Sequence, residues 1–157
     1  MDTPSVQTPQ QPVTILLSIT GLECESFSLT EYGMNNEKEI SFDDYSFHYV
    51  FEIGINIEKE IVDFYLSLDF HEGKVEDRKE RLATMRTRTS FRIVNFKEVA
   101  KPNDSGQILI PSRLIELGNA FSINHTRAMF ALKVEGTRYA NAVIPLANRN
   151  ITAPKDI

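Results

Sequence analysis

What this chain lacks excludes much before any motif is read. It has a single cysteine, Cys24, in 157 residues, so no internal disulfide can form, and a thiol without a base beside it reads as a half-buried side chain rather than a nucleophile. Its three histidines, His48, His71 and His125, stand apart with no Cys or carboxylate at ligand spacing, so no metal centre is expected. There is no run of about 18 apolar residues, hence no membrane-spanning helix. An excess of positive charge is also missing: 17 Lys and Arg face 22 Asp and Glu, for a net charge of −5. General attraction to nucleic acid is therefore not expected. No glycine-rich phosphate loop and no Gly-x-Ser-x-Gly elbow occurs, so the chain reads as a non-enzyme without a cofactor. Residues 1–12 are polar, rich in Pro and Gln, and lack a basic region followed by an apolar stretch. They read as a disordered tail rather than a signal peptide, which makes a cytoplasmic protein the expectation.

What is present is alternation. From Tyr45 to Ile57 every odd position is large and apolar or aromatic: Tyr45, Phe47, Tyr49, Phe51, Ile53, Ile55, Ile57. From Val62 to Phe70 the apolar positions are even: Val62, Phe64, Leu66, Leu68, Phe70. Successive side chains point to opposite faces of a strand, so each run has one apolar face. Turning the chain at Glu58-Lys59 puts Ile55 opposite Val62, Phe51 opposite Leu66 and Phe47 opposite Phe70. A slip of one residue would put half of these in water, so the register is strongly specified.

A first strand is expected over Val13 to Leu29, with a bend or bulge at Gly21, after which the apolar phase changes. A fourth is expected over Arg81 to Phe96. Its odd positions, from Ala83 and Met85 to Phe91 and Ile93, join the apolar face. Arg86, Arg88 and Arg92 point away, where Glu52, Asp63 and Asp69 can neutralise them. After a Lys101–Gly106 loop, Pro111 opens a long helix that Gly136 ends. Leu114, Leu117, Phe121, Ala128 and Leu132 give it an apolar stripe, which Ile115, Ile123, Met129, Phe130 and Val134 widen. At 1.5 Å per residue, Ser112 to Glu135 spans roughly 35 Å. That is longer than the sheet beneath should need, and the apolar surface wraps more than one side, so the helix is expected to have a second partner. The fold class is α+β: a four-stranded antiparallel sheet followed by a long amphipathic helix. Residues 13–150 form the one domain, and 151–157 a short C-terminal tail.

Two sets of side chains could carry function. On the polar face His48 falls opposite Asp69, an arrangement open to acid–base chemistry, although cross-strand ion pairing on a solvated face explains it as well. On the apolar side Phe27, Tyr32, Met34, Phe42 and Tyr45 lie in or near the first long connection, where a core does not require them. Aromatic and Met side chains can take up varied apolar partners there.

The order of elements, with several short motifs, resembles the SecB family of export chaperones and SecB-like chaperones. The motifs are Glu25-Ser26-Phe27 near the end of the first strand, Thr89-Ser90-Phe91-Arg92-Ile93 in the fourth and Ile108-Leu109-Ile110-Pro111-Ser112-Arg113 at the helix start. Gly136-Thr137 and Ile144-Pro145-Leu146-Ala147-Asn148 follow the helix. The resemblance spans nearly all of 13–150. It implies an ATP-independent holdase that binds unfolded or nascent polypeptides, with Phe27, Tyr32, Met34, Phe42 and Tyr45 as the client groove. It also implies a homo-tetramer, a dimer of dimers, assembled through the helix at Leu117, Phe121, His125 and Met129. The export motor is the further partner in exporting members, docking on an acidic sheet face that Arg86, Arg88 and Arg92 dilute here. A dedicated chaperone of a toxin–antitoxin pair, with the antitoxin as partner, and a small ligand-binding or enzymatic α+β domain are the alternatives.

Overall fold

The computed structural model describes residues 14–30, 45–74 and 80–145. Four long strands form one antiparallel sheet: β1 (Leu17–Leu29), β2 (Tyr45–Asn56), β3 (Ile61–Glu72) and β4 (Arg81–Ile93). Their spatial order is β1-β4-β3-β2, so the first two strands are the two edges. A single helical turn, α1 (Phe96–Val99), and a ribbon of two short strands, β5 (Lys101–Pro102) and β6 (Ile108–Leu109), lead to the long helix α2 (Ser112–Val134). The chain is thus a mixed α+β domain of the expected kind.

The β2–β3 register is the one the alternation requires. Ile55 pairs with Val62, Phe51 with Leu66, Tyr49 with Leu68 and Phe47 with Phe70. The turn is tight, closed by the Glu60 N–H donating to the Ile57 carbonyl at 3.3 Å. Glu60 takes φ 57°, a left-handed conformation that side chains other than Gly, Asn or Asp adopt at a cost.

β1 changes phase twice. Its register against β4 shifts between Ile19 and Gly21 and again between Cys24 and Ser26. Each shift inserts one residue, as a β-bulge does. Leu17, Ile19, Leu22, Cys24, Phe27 and Leu29 therefore all pair with odd residues of β4, on the side facing α2.

β4 ends at Ile93, three residues before the expected limit. Asn95 is the reason. Its amide accepts from the Leu16 N–H at 3.0 Å and donates to the Thr14 carbonyl at 2.7 Å, standing in for a strand partner. The chain then turns into α1, which buries Phe96 and Val99. In the expected loop, the Asn103 side chain accepts from the Ser105 and Gln107 N–H groups, and Gly106 takes φ 78°. A positive φ is cheap only for glycine, which is how this turn closes.

α2 ends one residue short of expectation, with Gly136 at φ 77° just beyond it. Its buried face corrects the sequence reading. Leu114, Gly118, Ser122, Thr126, Phe130 and Val134, joined by His125, face inward. Of the widened apolar stripe expected on α2, Leu114, Phe130 and Val134 lie on this buried face, while Leu117, Phe121, Ala128 and Leu132 are exposed. The cause is the closeness of helix and sheet. Small residues at four-residue spacing form a shallow groove that lets the backbone descend onto the sheet. Gly118 lies so near Phe64 that a methyl group there would sit 2.1 Å from the ring. The core is built in two clusters. One gathers Phe47, Phe70, Phe130, Tyr139 and Ile144, the other Val62, Phe64, Phe91, Phe96 and Leu114.

Candidate functional site

α2 lies on β4, β3 and β1 and leaves the far half of β2 outside its cover. The inward-facing series on β2 records this. Tyr45 and Phe47 are buried beneath Phe130 and its neighbours, and Tyr49 and Phe51 are half-buried. Ile53, Ile55 and Ile57 are exposed, Ile57 by 57 %. These side chains lie on one face at every second residue, so they make a continuous apolar ladder. β2 is also an edge strand, and it contains no Lys, Arg or Pro, the residues that commonly blunt such an edge. Among the described residues no strand pairs with the outer side of β2, so the ladder runs beside that edge.

A second apolar area lies at the opposite edge. Ile19 and Leu22 of β1 are exposed, Leu22 by 55 %. Phe121 on α2 meets Phe91 edge-on, with 5.7 Å between ring centroids, and Phe91 is the β4 partner of Ile19. Phe121 and Leu117, one turn apart, are each nearly two-fifths exposed. The two areas flank α2.

The structure distributes the expected site residues between these surfaces and the core. Phe27 is half-buried against the first core cluster. Tyr45 belongs to the core, with ring centroids 5.5 Å from Phe47 and 5.3 Å from Phe70. Tyr32, Met34 and Phe42 lie outside the described residues. On the helix, Leu117 and Phe121 face outward and Met129 is half-buried on the first cluster. His125 turns inward and is only 9 % exposed, because its ring completes a polar seam with Thr89. The ladder Ile53, Ile55 and Ile57 belongs to the apolar face that alternation predicts. Its exposure could not be read from alternation, which says which face a residue takes but not where the cover stops.

The outer face of the sheet is a lattice of paired charges. Arg86 bridges Glu52 at 2.7 Å and Glu25 at 3.1 Å, donates to Ser67, and lies 4.9 Å from the Tyr65 ring centre. Its hydrogen bond to Glu52 is the main cause of a raised guanidinium pKa. Arg88 pairs with Glu23 and Glu25, and the Glu23 contact chiefly raises its pKa too. Of the three carboxylates expected to neutralise the arginines, Glu52 forms an ion pair with Arg86, and Asp63 acts on Arg88 through its charge alone. Asp69 pairs with Arg81 at 3.6 Å, and Asp63 accepts from the Ser90 hydroxyl. The missing partners come from β1, whose bulges bring Glu23 and Glu25 to the outer face. His48 does stand opposite Asp69. Exposed pairs of this kind contribute little each to stability.

Among the described residues no group of three or more His, Cys, Asp or Glu could hold a metal ion, and no helix is long and apolar enough to cross a membrane. Neither a protein-family model nor a curated protein matches the chain.

Proposed function

We propose that the chain is a SecB-like holdase, binding exposed apolar segments of unfolded or nascent polypeptides without ATP. The observation that carries this reading is the apolar ladder of Ile53 and Ile55 on the edge strand β2, continued by Ile57 in the turn. An extended client segment can add main-chain hydrogen bonds to the edge and lay alternate apolar side chains on the ladder. Binding of this kind tolerates many sequences, because the backbone is common to all and the apolar contacts are non-directional. The exposed Leu117 and Phe121 support assembly of the chain through α2, in a dimer of dimers.

The charge lattice on the outer face favours a narrower version. An export motor docking on an acidic face would need free carboxylates. Here Glu23, Glu25 and Glu52 are all engaged by Arg86 and Arg88. A dedicated chaperone serving a single partner, such as an antitoxin, fits that neutral face better than a general export factor.

The test is aggregation suppression. An unfolded model client is diluted into buffer with the full-length protein, without ATP, while light scattering is recorded beside sizing of the protein alone. Suppression by an oligomer is expected. Fully burying an Ile is worth about 1.5–3 kcal/mol, and Ile53 and Ile55 have 38 % and 36 % of their surface left to bury, so each contributes about 0.5–1 kcal/mol to a client. Replacing both Ile53 and Ile55 by Ser is then expected to weaken suppression about 5- to 30-fold. No suppression across unrelated clients would overturn the general holdase reading and leave the single-partner one. An I53S/I55S double variant as active as wild type would remove the ladder from the mechanism.

A further inference from the structure

The interface between α2 and the sheet is apolar at both ends and polar in the middle. Thr87 and Thr126 share a hydrogen bond of 2.6 Å, and Thr126 also donates to the Ser122 carbonyl at 2.8 Å. Because the single Thr126 proton is committed to Ser122, Thr87 is the donor to Thr126. One step along, His125 Nδ1 lies 3.0 Å from the Thr89 hydroxyl. Nε2 of the same ring is buried and has no hydrogen-bond partner among the described residues. Either neutral tautomer tolerates this, one by leaving a lone pair bare and the other an N–H. An imidazolium does not, since it presents a charged N–H donor that must reach water.

We propose that the His125–Thr89 contact is an acid-sensitive latch. Protonation of the ring releases the middle of α2 from the sheet and uncovers the apolar floor beneath it. In the sheet register, Thr89 lies between Phe64 of β3 and Leu22 of β1, and Thr87 between Leu66 and Cys24. The floor under the latch is thus apolar, with Cys24 its one ionisable group. β2 contributes Tyr49, and α2 itself Arg127, whose charge acts on Tyr49. The carboxylates of the neighbouring strands, Glu23, Glu25, Asp63 and Asp69, pair on the outer face, so among the described residues of these strands none is placed to neutralise a charge on the ring.

Burial alone holds the His125 pKa below its ordinary value. The opened state regains the ordinary imidazole value of about 6.5. Below that pH the opened state binds a proton that the closed state refuses, so the closed state loses stability as pH falls. Above it both states are neutral and the latch holds. This behaviour does not depend on what binds the exposed faces, and its readouts are structural.

The experiment follows the full-length protein from about pH 7.5 to about pH 5, across the ordinary range of imidazole titration. It combines fluorescence of an apolar dye, amide hydrogen-exchange protection of α2 corrected for intrinsic rate, and NMR titration of the histidine rings. A severalfold loss of protection over Ser122–Phe130 is expected, with a matching gain of dye fluorescence, while β3 stays protected. His125→Gln keeps a polar side chain without the titration and is expected to abolish the pH response. His48→Gln, on the opposite face, is expected to leave it intact. Thr89→Val, which removes the hydroxyl bonded to the ring, is expected to move the opening to higher pH. A response that survives in H125Q overturns the latch, as does unchanged α2 protection down to about pH 5. If H125Q fails to fold, the ring titration of wild type decides: a His125 pKa at or above the ordinary value is equally fatal.

Discussion

Replacing Gly118 by Ala tests the packing of α2 most directly, because two opposed effects of known sign meet at one atom. In an ordinary helix interior the change gains about 1 kcal/mol, since Gly loses more backbone freedom on folding than Ala. Here the added methyl would lie 2.1 Å from Phe64 Cζ and 2.3 Å from Cε1, against about 3.5–4 Å for a relaxed carbon contact. Something must move by more than an ångström. Phe64 has nowhere to go, being 1 % exposed with its ring set edge-on to Phe91 at 5.6 Å. The helix must lift instead, which stretches the Thr87–Thr126 and Thr89–His125 contacts further along. Overpacking of this kind costs about 1–3 kcal/mol and occasionally more. With the helix lifted, the upper end applies, and about 3 kcal/mol of strain less about 1 kcal/mol of propensity leaves a net loss near 2 kcal/mol. At this chain length that lowers the melting temperature by about 4–8 °C. Urea and thermal unfolding followed by circular dichroism would read it. Phe64→Leu in the same background removes the atoms in the way, so a double-mutant cycle is expected to show coupling of about 1 kcal/mol or more. A G118A protein as stable as wild type, or strictly additive effects of the two changes, would refute the close approach of helix and sheet.

Two smaller changes probe other features. Glu60→Gly relieves the left-handed turn residue and is expected to raise stability by about 0.5–1 kcal/mol, measured by the urea midpoint. Tyr49→Phe is expected to be neutral or stabilising near neutral pH, because it removes a buried hydroxyl that has no partner among the described residues. Burial pushes the Tyr49 pKa up to about 12, with Arg127 opposing. The folded protein therefore keeps a proton that the unfolded chain releases near pH 10. Its contribution to stability is intact below about pH 10 and falls away as the pH climbs through about 12. Denaturation midpoints compared at high pH should show a smaller alkaline loss in Y49F than in wild type, and equal losses would place the phenol in solvent.

Much of the architecture was legible from period alone. Alternation in Tyr45–Ile57 and Val62–Phe70 set the strands and, with the turn at Glu58-Lys59, their pairing, since a slip of one residue leaves half the apolar side chains in water. Gly136 and Pro111 marked the helix ends because one backbone geometry suits each of them. The helix face was legible only in part. Hydrophobicity marked Leu114, Phe130 and Val134, but the residues that touch the sheet also include Gly118, Ser122 and Thr126, chosen for size. A small residue advertises nothing until a neighbour such as Phe64 comes within reach.

The sequence by itself therefore determined the four long strands, the long helix and the apolar face of the central strands, because these follow from local period and backbone preference, whereas α1, β5 and β6 did not show in it. Only the tertiary structure decided how much of that apolar face is covered. Where α2 crosses the sheet depends on how closely its small residues let it approach. That placement leaves Ile53, Ile55 and Ile57 outside its cover while closing the sheet over His125.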